Sequence, residues 1–230
     1  MTIEKSSKPS IIAIDGFAGS GKSTAGALLA HDLGYLYFDT GVMYRAVTWA
    51  ALDQQIEPGN EAQVSSLAEN LIIEVEPDGP ADGRQYTVRA NGRDVTWEIR
   101  RPEIETYVSR VASYPRVRRA LTRQQRRIAA AGCVVMVGRD IGTVVLPDAD
   151  LKIFMQASPE ERAWRRYQEA LRQNKPANLD DILAAIISRD KQDQENPVSP
   201  TVPAKDAIVI NTDGLTIEAV LDRLKALIDC

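Results

Sequence analysis

The residues with the clearest chemical purpose lie at Gly16–Thr24, GFAGSGKST, which fits the spacing G-x-x-x-x-G-K-[ST] with Gly16, Gly21, Lys22 and Ser23 in the defined positions. Glycines let such a loop turn tightly and leave backbone N–H groups facing inward. Gly16, Phe17, Ala18, Gly19, Ser20, Gly21, Lys22, Ser23 and Thr24 thus read as a cradle for the phosphates of a nucleotide. A helix beginning near Lys22 adds the positive end of its dipole. The Lys22 ammonium can reach β- and γ-phosphate oxygens, and the Ser23 hydroxyl suits Mg²⁺.

Two more polar clusters follow apolar runs. In Asp39-Thr40-Gly41-x-x-Tyr44-Arg45, Thr40 is a suitable helix N-cap and Arg45 falls in the first turns, so both can hold an anion. Gly138-Arg139-Asp140 adds an arginine and a carboxylate. This supply of arginine suits phosphoryl transfer, where catalysis is mostly positioning and charge neutralisation. If the acceptor is itself a phosphate oxygen, no general base is needed. The single histidine, His31, is then no obstacle. A GTPase would offer an N-K-x-D base-reading element, and the chain has none.

These clusters must be positioned by strands. Apolar runs at Ile11–Ile14, Tyr35–Phe38, Val134–Val137, Leu151–Met155 and Ala207–Ile210 alternate with helical periodicity. That pattern predicts an α/β fold with a parallel sheet flanked by helices, its sites at the carboxyl ends of the strands. One segment breaks the alternation. Leu71–Val75, Gln85–Ala90 and Arg93–Thr96 read as strands, with Asn91-Gly92 as a hairpin turn and an irregular loop at 77–83. This small β insertion either contacts a substrate or is a flap.

Helices are expected over Pro102–Ser113 and Arg116–Ala131. In the second, Arg116, Arg119, Arg123, Arg126 and Arg127 gather within an arc of roughly 100°, which reads as a solvated face. Arg118 stands apart, beside the apolar stripe of Val117, Leu121 and Ile128, as a residue expected to point into a cleft. Ser158-Pro159-Glu160-Glu161 is a capping box opening a helix to about Asn174, with Arg162 and Arg166 on one face. A turn at Lys175–Asn178 leads to a second helix ending near Gln194. The pair is either a lid or a surface hairpin. A last amphipathic helix is expected over Thr216–Ile228.

Composition narrows the classes. At 230 residues, 44% hydrophobic and 26% charged, the chain fits one globular domain with insertions. A net charge of −4 gives no general attraction to nucleic acid or anionic membrane. The start, MTIEKSSKPS, lacks the apolar core of a signal peptide, and no run approaches the roughly 18 apolar residues of a membrane span. Cys133 reads as a core residue and Cys230 is terminal; with one histidine, nothing suggests zinc. A reduced, cytoplasmic protein is expected.

Taken in order, IDGFAGSGKST, DTGVMYRA, DVTWEIR, SRVASYPRVRRAL, GRDIGTVVLPDADLKIFMQAS, ERAWRR and the Arg189–Asp193 stretch resemble the bacterial cytidylate kinases over nearly the whole chain. The resemblance implies a phosphate-loop nucleoside-monophosphate kinase that moves the γ-phosphate of ATP to CMP or dCMP with Mg²⁺, held through Ser23. It also implies a five-stranded parallel core, a β-hairpin-containing NMP-binding insertion at about 60–113 and a short helical lid at about 158–195, all within one domain spanning 1–230. Thr40, Arg45 and Arg139 would grip the CMP phosphate, and Ser109, Arg118 and Asp140 would read cytosine. Arg189 and Asp193 would bind the sugar. Lys22, Arg139 and the lid arginines Arg162 and Arg166 would stabilise the transferring group. A monomer is implied, acting on small molecules without nucleic-acid or membrane partners.

Two positions depart from the family. Asn196 stands where an arginine for the acceptor phosphate is usual, and Phe17 where proline is common. Other acceptors (UMP, AMP or a polyol) and a non-enzymatic ATP-binding role are the competing readings.

Overall fold

The computed structural model describes residues 8–76 and 79–228; most of the N-terminal stretch, the start of the loop at 77–83, and Cys230 lie outside them. The chain divides into two compact units, one of residues up to Tyr37 and from Gly132 onward, the other Phe38–Ala131.

The first unit grows from β1 (Ile11–Asp15), whose apolar run is buried as expected of a central strand, followed by α1 (Lys22–Leu33). Gly34, with φ 67°, closes that helix in the left-handed conformation that favours glycine. β2 (Leu36–Asp39) carries the chain across the boundary into the second unit.

That second unit holds α2 (Gly41–Asp53), α3 (Glu61–Asn70), β3 (Ile73–Glu76), β4 (Thr87–Ala90), β5 (Arg93–Asp94), α4 (Pro102–Ser113) and α5 (Pro115–Ala129). β3, β4 and β5 form the expected small antiparallel sheet. Asn91 and Gly92 both take positive φ, 48° and 79°, as a tight hairpin turn requires. On α5, Val117, Ala120 and Leu121 are buried while Arg116, Arg119, Arg123, Arg126 and Arg127 line the more open side, the solvated face expected of them. Arg116 also reaches Glu69 of α3 at 2.7 Å.

The chain returns to the first unit through β6 (Val134–Gly138), β7 (Leu151–Gln156), α6 (Pro159–Arg172), α7 (Leu179–Gln194), β8 (Ile208–Asn211) and α8 (Ile217–Ala226). The strands make one five-stranded parallel sheet in the order β2-β6-β1-β7-β8. Ile12, Ile14, Leu29, Val135, Val137, Ile153, Val220 and Leu224 build its core with α1 and α8. Gly26 allows α1 to lie close: a Cβ there would stand 2.7 Å from Val137 Cγ2. Ser158 Oγ accepts from Glu161 N at 3.2 Å and Asn178 Oδ1 from Asp180 N at 2.8 Å, so both charged helices begin where the capping residues place them.

Two expectations need correction. Cys133 is exposed rather than in the core. The strand starts one residue later, and Cys133 is held in the connecting turn with φ 48°, its N–H donating to Ser10 Oγ at 3.1 Å. Thr40 occupies the N-cap position of α2 but makes no cap bond. Asp39 Oδ1 accepts from Gly41 N at 2.9 Å in its place, because Thr40 already has helical backbone angles.

Candidate active site

The phosphate loop leaves β1 at Gly16, whose φ is 149° and whose missing Cβ would fall 2.1 Å from the Met155 carbonyl oxygen. Only glycine fits there. Gly19 and Gly21 also take positive φ, 85° and 87°, and α1 starts directly from Gly21. Lys22 is buried, and its Nζ donates to the Phe17 carbonyl at 3.0 Å, so the ammonium lies across the loop it serves. Ser23 and Thr24 are exposed on the first turn of α1. Phe17 packs edge-on to Phe154 with ring centroids 6.1 Å apart.

Arg162 and Arg165 support this loop from α6. Arg162, 2% exposed, donates Nη1 to Ala18 O at 3.2 Å, Nε to Ala157 O at 3.0 Å and Nη1 to Asp190 Oδ1 at 2.9 Å, and pairs a second time with Asp190 through Nη2. It also lies over the Phe17 ring. Arg165 donates to Thr212 Oγ1 at 3.2 Å, and that hydroxyl donates to Ser20 O at 3.2 Å. Arg166, on the same helix, is half-buried. Sequence reasoning missed Arg165 because its partner lies 47 residues away.

The register levels Asp15 of β1 with Gly138 of β6, so Arg139 and Asp140 leave the sheet beside the phosphate loop. Arg139 Nε meets Asp193 Oδ2 of α7 at 2.5 Å, and Asp140 is buried. Arg189 is half-buried one turn before Asp193. Asn196 acts locally. Its Oδ1 accepts from Val198 N at 3.0 Å and Ser199 N at 3.1 Å, shaping the turn after α7.

Asp15 is a second residue that sequence reasoning missed. It is 3% exposed and accepts from Ile141 N and Gly142 N, both at 2.7 Å. Its signal was an acidic residue ending an otherwise apolar strand. Burial pushes its carboxyl up to about 6, against the two amide bonds; the Asp140 charge adds to the rise and Lys22 opposes it. The native state therefore holds this proton more tightly than the unfolded chain. The stabilisation it gives is complete below the ordinary carboxylate value of 3.8 and lost as pH rises through about 6. Relative to Asp15→Asn, the wild type is expected to lose up to about 3 kcal/mol between pH 4 and 7. Urea unfolding of both proteins across that range measures the drift; a difference independent of pH would contradict it.

In the other unit, Arg45 of α2 pairs with Glu105 of α4 and Thr40 is buried at the start of α2. Arg118 is half-buried on α5, its Nη1 donating to Tyr44 Oη at 3.2 Å with the guanidinium 5.3 Å from that ring. Ser109 is exposed on α4. Glu105 was not singled out from the sequence, where it is one of several acids on an exposed face.

No group of three or more His, Cys, Asp or Glu among the described residues could cage a metal ion. Mg²⁺ brought by a nucleotide needs no such cage, since phosphate oxygens and water fill most of its shell, and the exposed Ser23 hydroxyl beside Lys22 fits the remaining place. Among the described residues no helix is long and apolar enough to cross a membrane.

A parallel sheet whose central strand opens into GFAGSGKST, with arginines carried at neighbouring strand ends and on the flanking helices, defines a phosphate-loop kinase. The chain belongs to the cytidylate kinase family, whose model matches residues 12–229. It is 57% identical over 219 residues to a cytidylate kinase of Chloroflexus aggregans (strain MD-66 / DSM 9485), covering 94% of each chain. It is 52% identical to a cytidylate kinase of Roseiflexus castenholzii (strain DSM 13941 / HLO8), covering 94% of this chain and 91% of that one. A solved structure of an uncharacterized protein from Eubacterium ventriosum ATCC 27560 matches with a TM-score of 0.50 at 11% identity, over 96% of this chain and 99% of that one; this likeness is one of fold alone.

Proposed function

We propose that this enzyme transfers the γ-phosphate of ATP to CMP or dCMP, giving ADP and CDP or dCDP. The observation that carries the reading is the alignment of Asp15 with Gly138, which puts the phosphate loop and the Arg139–Asp140 pair at adjacent strand ends. An oxygen of the acceptor phosphate attacks the γ-phosphorus while the bond to the β,γ-bridging oxygen breaks, and a fully ionised acceptor has no proton to surrender. Lys22 and the loop amides hold the donor phosphates. Mg²⁺, held with ATP at Ser23, would neutralise part of their charge.

On the acceptor side, Arg139 is proposed to take the CMP phosphate once that anion replaces Asp193 as its partner. Asp193 then turns to the sugar with Arg189. Asp140 accepts from the cytosine amino group. The second unit is proposed to contribute Thr40 and Arg45 to the phosphate and Ser109 and Arg118 to the base, on the strength of the family resemblance. Arg166 is the proposed lid arginine for the transferring group, and Arg162 serves it by holding the loop. Uracil presents an oxygen where cytosine presents an amino group, so Asp140 would face an acceptor. Such buried mismatches discriminate strongly.

The test is ADP release with ATP, Mg²⁺ and each nucleoside monophosphate in turn. CMP and dCMP should be turned over at least about a hundredfold more efficiently than UMP or AMP. Comparable efficiency on UMP would overturn the role of Asp140.

A further inference from the structure

We propose that Asp15 is a positioning residue for the acceptor pocket: by capping the turn after β6 from the neighbouring strand, it keeps Asp140 from capping that turn itself and so keeps it directed at the base. The inference rests on the functional reading above.

The turn Ile141–Val145 is a single π-helical turn with Asp140 in its N-cap position. An aspartate there ordinarily folds its side chain back onto the amide of the second or third residue of the turn, here Gly142 or Thr143, because these have no partner within the helix. Asp140 makes no such bond. The amides of Ile141 and Gly142 donate instead to the two carboxylate oxygens of Asp15, each at 2.7 Å, one oxygen apiece. The cap is thus supplied from the last residue of β1, immediately ahead of Gly16. The buried negative charge of Asp15 also repels Asp140 and opposes its approach to the Gly142 amide.

The charged groups around this carboxylate are few. Lys22 attracts it from the start of α1, and Asp140 repels it from the turn. From β7, the Lys152 stem packs near the Gly142 position while its Nζ is occupied by Asp206 at 2.7 Å. Lys152 therefore has its own counter-ion, and the amide pair is what holds Asp15 in register.

Removing Asp15 frees two amides, and the N-cap carboxylate of that turn, Asp140, is placed to take the one of Gly142. A cytosine reader diverted to capping cannot accept from the base. The effect should fall on the acceptor and spare the donor, although Asp15 is a direct neighbour of the phosphate loop.

The experiment compares Asp15→Ala, Asp140→Asn and the double variant by steady-state kinetics. Asp15→Ala is expected to raise KM for CMP about tenfold and narrow the preference for CMP over UMP by a similar factor. KM for ATP should stay within about twofold of wild type, and the double variant within about twofold of Asp140→Asn, because both changes disable the same group. Equal rises in KM for CMP and ATP, or single effects that multiply in the double variant, would overturn the proposal. If Asp15→Ala fails to fold, Gly142→Ala tests the same contact. Its Cβ would meet the Lys152 side chain at 3.2–3.3 Å and touch Asp15 Oδ2 at 3.5 Å, crowding the carboxylate that caps the turn. The same selective rise in KM for CMP is expected, and unchanged constants would overturn it. Loss of CMP affinity in Asp140→Asn with a silent Asp15→Ala removes the role of Asp15 alone. A silent Asp140→Asn removes the functional reading and this inference with it.

Discussion

Lys22→Met is expected to lower kcat about a thousandfold with little change in fold, since removing one preorganised donor from a reacting centre typically costs about a hundred- to a thousandfold. Lys22 is 8% exposed, and its Nζ rests on the Phe17 carbonyl at 3.0 Å, so the charge is held in place before any nucleotide arrives. Methionine keeps most of the apolar stem and forfeits only the ammonium. Because charge accumulates on the γ-phosphoryl oxygens and the leaving oxygen as the bond breaks, an ammonium in the proposed place would act more strongly on the transition state than on bound ATP. Single-turnover transfer from ATP to CMP, beside thermal unfolding, checks this. A rate within about tenfold of wild type would contradict the placing of Lys22 at the transferring group.

Arg162→Met should act on both stability and rate. Its guanidinium is almost wholly buried and bonds to two carbonyls and both oxygens of Asp190, whose side chain is 15% exposed. Methionine would leave Asp190 as a buried charge without its partner, a change that destabilises by about 3–5 kcal/mol. For a chain of this length that lowers Tm by roughly 10 °C. Losing the contact to Ala18 O should also loosen the phosphate loop and lower kcat by about a hundredfold. Adding Asp190→Leu separates the effects. The double variant should recover most of the stability, since no unpaired charge remains, but not the rate. Recovery of both would mean that the pair serves the fold alone.

Which features could be read from the sequence follows from the range of the interactions that make them. The five parallel strands, the hairpin at Asn91-Gly92 and the helix starts at Ser158 and Asn178 are set by burial periodicity, turn geometry and capping, all decided within a few residues. The left-handed backbone of Cys133 was not legible, because an apolar run does not reveal where its first ladder bond forms. Ion-pair partners were not legible either. Arg162 and Asp190 are 28 residues apart, and Arg139 and Asp193 are 54 apart. Helical patterning placed Arg162 on a face with Arg166, yet the fold buries the first and leaves the second half-exposed. The phosphate loop was plain because one short motif carries its whole chemistry. Asp15 was not, because its part is fixed by strand register with β6, which no local pattern encodes.

The pairing of Arg139 with Asp193 has a kinetic consequence. An arginine that already holds a carboxylate at 2.5 Å projects little net field into solution, so the approaching CMP dianion is not drawn in from a distance by this part of the site. On the proposed reading its phosphate would displace one anion from Arg139, and the displaced carboxylate would turn to the sugar hydroxyls. Recognition would then be an exchange of partners after contact, with selectivity expressed in how slowly the correct nucleotide leaves. An association rate nearly indifferent to ionic strength, measured by stopped flow, is the signature of that exchange.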